Sequence, residues 1–376
     1  MTETPQQTET AEKKVTWTEL FFDLVLVFAI TQIAAQLHES HGWAALGRSV
    51  IVFVPIYWAW VGTSVHCNLH DTDNATDRAG ILALALCALF MAVAVPHAYE
   101  QRGALFGGAY FALRAILAVL YFRGRRVTLV TPLVAATVTG PLMLAGGLVP
   151  MPARTVLWGL AAVVDLATPR ILRRRLTAVS FDAGHLVERF GLFVIIALGE
   201  SVVDIGASAA RAEPLTATGL LAVAASFVLA AGLWWVYFVY ATSAIRHALV
   251  TAQIQTDIVR PVLSWGHLSF VGAIIAVAVG LTEVVTRPTA DLAPGAAALL
   301  FGGTALYLAT FGYTRWRMFH TWAKTRLTTA AVVLALLPVA HLMPALVALS
   351  ILAAIVVALN VVEHTMVART ASAQLR

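Results

Sequence analysis

Apolar runs of about twenty residues, each closed by a few polar ones, follow one another along this 376-residue chain from residue 17 to residue 364. A helix rises about 1.5 Å per residue, so each run matches the roughly 30 Å hydrocarbon core of a bilayer. In lipid a backbone must satisfy its own N–H and C=O groups, and an uninterrupted helix does so. The pattern predicts helices over 17–37, 47–66, 79–98, 104–122, 128–149, 154–171, 187–207, 217–240, 262–284, 295–314, 327–342 and 344–364. The expected fold is therefore all-α, a polytopic membrane protein of about twelve transmembrane helices. Pro338 and Pro344 crowd the junction of the last two runs, and the eleventh is short unless it recruits flanking threonines.

Composition excludes a soluble domain. Hydrophobic residues make up 60% and charged residues only 12%, about half the charge of a soluble protein. The formal net charge of +5 does not mark a nucleic-acid binder, because of where the charge lies. With the N-terminus inside, 18 Lys and Arg fall on one side of the bilayer and 5 on the other. That bias predicts both termini in the cytoplasm. The first 14 residues are polar and lack a cleavable signal, so the first helix is expected to act as an uncleaved anchor. Cys67 and Cys87 fit neither a structural disulfide nor a zinc pattern.

The two halves resemble each other in order. Glu19 falls opposite Glu188, and Tyr57-Trp58-Ala59-Trp60 opposite Trp234-Trp235-Val236-Tyr237. Ala92-Val93-Ala94-Val95 recurs as Ala276-Val277-Ala278-Val279, and Phe106-Gly107-Gly108 as Phe301-Gly302-Gly303. Arg123-Gly124-Arg125 matches Arg315-Trp316-Arg317, with offsets drifting between about 169 and 195. The expected organisation is a tail over 1–16, six-helix repeats over 17–175 and 176–366, and a tail over 367–376. An even number of helices per unit makes the repeats parallel, with a pseudo-twofold axis along the membrane normal and any site near their interface.

Ionisable groups inside these runs mark candidate chemistry, since each costs a few kcal/mol at that depth. Glu19 and Asp23 lie one turn apart, about 6 Å along the axis. Carboxylates so close repel unless one takes a proton or a cation joins them. The same positions also suit a helix start capped by Thr16 or Thr18. Glu200 lies about 18 Å beyond Glu188 along its helix, near mid-bilayer, with Asp204 one turn further. Gly199 and Ser201 would let another backbone approach it closely. The structural alternative for Glu200 is a dry salt bridge with Arg114 or Arg189. Arg189 is expected to snorkel to the interface rather than pair with Asp23, and Arg114 must face protein or water.

At and just beyond the end of the second span, His66 and His70 have the spacing that lets two imidazoles share an ion. They stand beside Asp71, Asp73, Asp77 and Arg78, where a solvated turn is the plainer reading, and no metal or cofactor is assigned. That acidic run would gate the basic face or pair with its arginines. His267, His97, Asp165 and Glu283 are buried or interfacial polar residues, with His267 expected as a hydrogen-bonded core histidine. Trp58, Trp60, Trp234, Trp235 and Tyr237 line a pathway or, more ordinarily, anchor and pack helices.

Four motifs together resemble a known family. Glu19-Leu-Phe-Phe-Asp23-Leu-Val-Leu-Val-Phe-Ala-Ile-Thr31-Gln32 resembles the opening signature of the bacterial low-temperature-requirement A family. His70-Asp71-Thr72-Asp73 with Asp77-Arg78 is similar to its second motif, although Asn74 stands where an acid is usual. Glu188-Arg189-Phe190-Gly191-Leu192-Phe193, continuing to Gly199-Glu200-Ser201, is similar to its central motif, and Gly266-His267-Leu268 to the start of its ninth helix. Phe22-Asp23 through Thr31 also resembles, more distantly, the first-helix signature of potassium channels built on six-helix units.

The resemblance implies a multi-pass protein of the bacterial inner membrane and names no substrate. Three functions follow as expectations. The first is movement of a small solute or monovalent cation past Glu19, Asp23, Glu188, Glu200 and Asp204, with lipid as the surrounding partner. A channel would need a continuous polar lining, a carrier closure at alternate ends. The second is an enzyme acting on lipid, for which only the 66–77 loop offers chemistry; the chain is expected not to be an enzyme. The third is a scaffold or sensor, which requires Glu200 paired with an arginine and no cavity reaching it.

Overall fold

The computed structural model describes residues 13–39, 42–123, 131–177 and 179–374. Most of the expected N-terminal tail, the Gly124-Arg125 exit of the fourth helix and the last two residues lie outside the described residues.

Among the described residues, ten helices are long and apolar enough to cross a membrane. They begin with α1 (Trp17–Glu39), α2 (Trp43–Leu69), α3 (Ala75–His97), α4 (Gly103–Arg123) and α5 (Thr131–Leu148). After α6 (Ala153–Ile171) comes α7 (Ala183–Ala210), then α8 (Ala217–Phe238) and α9 (Ala241–Thr251). The chain continues through α10 (Thr256–Thr286) and α11 (Pro294–Phe319) to α12 (Lys324–Ala340) and α13 (Ala345–Gln374). Of the expected spans, α6 carries Arg154, Asp165 and Arg170, and α12 has only 17 residues, so neither qualifies on length and apolarity. Both positions are nevertheless helical.

Local chemistry sets the helix starts. Asn74, Asp182 and Thr216 each cap the helix that follows, accepting from the backbone N–H three residues on. Two features were not anticipated. α9 is an eleven-residue amphipathic helix whose Ala241, Ile245, Ala248 and Leu249 are buried while Arg246 and His247 are exposed. Wider π turns interrupt α5 at Ala135–Thr139 and α10 at Val259–Gly266.

In the first half α1 packs on α2 and α3, α3 on α4, α4 on α5, α5 on α6, and α6 returns to α2. In the second, α7 packs on α8 and α10, α10 on α11, α11 on α12, α12 on α13, and α13 returns to α8. The halves meet where α1 touches α7 and α10, and α2 touches α7. Small residues bring the backbones together. A Cβ on Gly107 would stand 2.2 Å from the Met143 carbonyl oxygen, and one on Gly147 2.3 Å from that of Gly103. Outward-facing Leu24, Phe28, Leu86, Phe90, Leu220 and Phe227 are exposed. In water such a belt would be a liability, whereas in lipid it is the solvated surface.

Candidate functional site

The site is built on the seam where α1 and α7 lie side by side in parallel. Contacts along it keep one direction: Glu19 with His185 and Arg189, Asp23 with Arg189, Thr31 with Glu200. Here the "N-terminal face" is the end where both helices begin.

At that end Thr16 and Glu19 form a capping box. The Glu19 N–H donates to Thr16 Oγ1 at 3.4 Å, and the Thr16 N–H donates back to Glu19 Oε1 at 3.3 Å. One turn on, Asp23 shares the inward face. Trp60, Ser64 and Asn68 of α2 and His185 and Arg189 of α7 recur at intervals of four, so each set lines one stripe. Arg189 joins them: Nη1 donates to Glu19 Oε2, Nη2 to Asp23 Oδ1 at 2.9 Å and Nε to Ser64 Oγ at 2.9 Å. Trp60 Nε1 donates to the same Asp23 oxygen at 2.7 Å. Glu19, Asp23, Trp60, Ser64, His185 and Arg189 are all fully buried.

The protonation of His185 follows from its neighbours. The backbone N–H of Asp182 donates to Asn68 Oδ1 at 3.1 Å, which fixes the Asn68 amide with its nitrogen toward His185. His185 Nδ1 must accept there, at 3.1 Å, so Nε2 carries the hydrogen and donates to Glu19 Oε2 at 3.1 Å. Asp23 Oδ2 is buried and has no hydrogen-bond partner.

Deeper along the seam the polar groups give way to rings. Trp60 stacks on Phe193, centroids 4.1 Å apart, and meets Phe190 edge-on at 4.7 Å. Phe190 meets His267 edge-on at 5.0 Å. The π turn of α10 frees carbonyls that side chains then take up. Tyr57 donates to Ser264 O at 2.9 Å, and His267 Nδ1 to Val262 O at 3.0 Å. His267 Nε2 then accepts from the Tyr237 hydroxyl at 2.6 Å, making this a satisfied core histidine, as its sequence context suggested.

Past the rings, Thr31 Oγ1 donates to Glu200 Oε1. Glu200 is only half-buried. A cleft of about 140 Å³ opens beside this pair toward the face opposite the N-terminus, lined by Thr31, His38, Asp204, Ser208, Arg211 and Thr282. Thr31 and Asp204 thus line one cleft, with Glu200 bonded to Thr31, while Glu19 and Asp23 are held in a separate, closed cluster.

Several expectations need correction. Arg189 does not snorkel. Adjacent helical positions point about 100° apart, so Glu188 takes the outward direction and Arg189 the inward one. Glu188 is exposed and lines a broad cleft with Lys13, Lys14 and Arg246, away from Glu19 and Asp23. Glu200 has neither arginine as partner: Arg114 is buried on Asp165 at 3.1 Å, on Tyr110 at 2.9 Å and on the Trp58 carbonyl. Nothing lies within 4 Å of a Cβ placed on Gly199, so among the described residues no neighbouring backbone comes close to it. Asp73 pairs with Arg78 at 3.2 Å in the open, Asp71 accepts from the Asp73 N–H, and Asp77 closes the Asn74 cap. This is the solvated turn. His66 and His70 stack with centroids 4.5 Å apart and rings 25° from parallel. Among the described residues no group of three or more His, Cys, Asp or Glu side chains is placed to hold a metal. His185, Ser64 and Asn68 were missed, though the four-residue spacing of Trp60, Ser64 and Asn68 and of His185 and Arg189 was there to be read.

The profile described as bacterial low temperature requirement A protein (LtrA) matches residues 14–361. The Rhizobium meliloti (strain 1021) protein RA0937, described as uncharacterized, is 30% identical over 315 residues, 80% of this chain and 76% of that protein. No solved structure matches the chain.

Proposed function

We propose that this chain, which belongs to the bacterial low temperature requirement A (LtrA) family, is a carrier moving a small solute or ion across the inner membrane along the α1–α7 seam. One observation carries the reading: the seam is polar at both ends, open at one and closed at the other. Its open end holds Thr31, Glu200 and the Asp204 cleft. Its closed end is the buried Glu19–Asp23–Arg189 cluster, and Trp60, Phe190 and Phe193 stand between. A channel needs an unbroken polar lining, which the rings interrupt. A scaffold needs Glu200 in a dry pair with an arginine, and both buried arginines that could serve are engaged elsewhere. The turn at 71–77 is used up in capping and a surface pair, so the role assigned is permeation rather than catalysis.

In this reading the molecule is two parallel six-helix repeats. The same order of neighbours from α1 to α6 and from α7 through α13 supports it, with α9 inserted between the second and third helices of the later unit. Both termini are cytoplasmic, so the arginine cluster closes the inner side and the Asp204 cleft faces out. The test is flux in proteoliposomes under imposed K⁺, Na⁺ and H⁺ gradients. Wild-type flux should be lost in Glu200→Gln and Asp23→Asn of intact fold. Flux equal in all three proteins would remove these acids from the path.

A further inference from the structure

We infer that the ion exchanged at the closed cluster is a proton, held on Asp23 Oδ2. This rests on the carrier reading for its role in transport, but the protonation stands on geometry alone. Glu19 must be ionised, because both its oxygens accept hydrogen bonds, from Thr16, His185 and Arg189. His185 is neutral, since Asn68 obliges its Nδ1 to accept. Arg189 is charged, donating from all three of its nitrogens. If Asp23 were also ionised, the fully buried cluster would hold two negative charges against one positive. A charge left uncompensated in such a place is far costlier than a neutral carboxyl with one idle O–H.

Among the described residues of the cluster, the acceptor without a donor is Asp23 Oδ2, and that is where the missing proton belongs. His66 also has two unpartnered ring nitrogens, but its ring lies against His70 and Tyr121 rather than in the cluster. On α1 the facing titratable group is Glu19, and on α7 His185 and Arg189. α2 brings Ser64 and the buried Cys67 and His66; α10 brings His267, already satisfied; α3 bears Asp77 and Arg78 only at its exposed start and Cys87 further in. Lys13 turns its ammonium to the carbonyls of Cys67 and His70 and not to Asp23. A metal cation is a poor substitute. Asp23 Oδ2 is buried, and neither of the two clefts described is lined by Asp23. Sodium or potassium would need several oxygens and room to sit, whereas a proton needs one lone pair. On release the Oδ2–H bond breaks, its electron pair stays on the carboxylate, and the proton passes to water on whichever side the seam has opened.

Infrared difference spectroscopy of the purified full-length protein tests this without reference to flux. The wild type should show a protonated-carboxyl C=O band at neutral pH that shifts in D₂O. The band should vanish in Asp23→Asn. It should vanish equally in Glu19→Gln, where Asp23 itself is intact but Arg189 alone now balances it, and it should persist in Glu200→Gln. A band absent from the wild type, or retained in Asp23→Asn or Glu19→Gln, would overturn the inference. The carrier reading is judged separately by flux: the band present with no flux under any gradient keeps the proton and discards the carrier.

Discussion

Arg189 does for this molecule what no carboxylate can do alone, which is to let two acids lie fully buried one turn apart on α1. Removing one partner of a buried ion pair leaves the other uncompensated, at about 3–5 kcal/mol. Arg189→Met should therefore lower thermal stability by about that much, measured on detergent-solubilised protein. Adding Glu19→Gln to Arg189→Met should recover part of the loss; a strictly additive double variant would mean the two do not interact. Arg114 and Asp165 allow the same experiment independently, since the pair is buried at 3.1 Å. Arg114→Met or Asp165→Leu alone should cost about 3–5 kcal/mol, and the two together much less. The acids themselves were legible, because a charge inside an apolar run stands out against its neighbours. Their partners were not. Whether Arg189 snorkels or turns inward depends on which face α7 shows to α1, and Glu188 and Arg189 are adjacent residues for which either choice looks alike. Trp60 stood out as an aromatic, and His185 only by its four-residue spacing from Arg189; neither feature says that three helices converge on them.

Helix-to-helix contact here depends on residues that are absent as side chains. At Gly107 and Gly147 the α4 and α5 backbones come so close that any Cβ would strike a carbonyl. Gly107→Ala should force the pair apart and cost at least the roughly 1–3 kcal/mol of an overpacked core. Gly199→Ala, with open space around it, should change stability by no more than about 0.5 kcal/mol. Thermal unfolding of the two variants side by side would check this, and equal losses would contradict the packing described. Most long helices were readable because hydropathy over some twenty residues reports the bilayer directly. α9 escaped because its apolar stripe is one face of eleven residues, too short for that signal and masked by Arg246 and His247. The π turns escaped because inserting one residue into a helix leaves no compositional trace. Yet the turn in α10 is what offers its carbonyls to Tyr57 and His267.

For the whole molecule, Asp204 and Glu188 line clefts toward opposite ends of α7, and the proposed topology predicts that they are reached from opposite sides of the membrane. Asp204→Cys should react with a membrane-impermeant thiol reagent added outside intact cells, and Glu188→Cys should react only in inverted vesicles. The native Cys67 and Cys87 are both buried and should contribute little background. The opposite pattern would invert the proposed topology, and labelling of neither variant from its expected side would remove the open cleft.

The register of the α1–α7 seam has a consequence for where the chain came from. Lys13 N donates to Asp182 Oδ2 at 3.1 Å at one end, and Thr31 donates to Glu200 at the other. Both pairs are separated by 169 residues, the same offset that sets Glu19 opposite Glu188. If the proposed duplication runs at that offset, these two pairs join each residue to its own counterpart, as on a symmetry axis along the seam, while the buried Glu19 and exposed Glu188 depart from that symmetry. In an ancestral homodimer of single six-helix chains, those points would have brought identical residues face to face, carboxylate against carboxylate or hydroxyl against hydroxyl. Joining two such copies in one gene would have freed each position to diverge, one side becoming the donor and the other the acceptor. The Thr31–Glu200 bond is an arrangement that a symmetric dimer has no way to make.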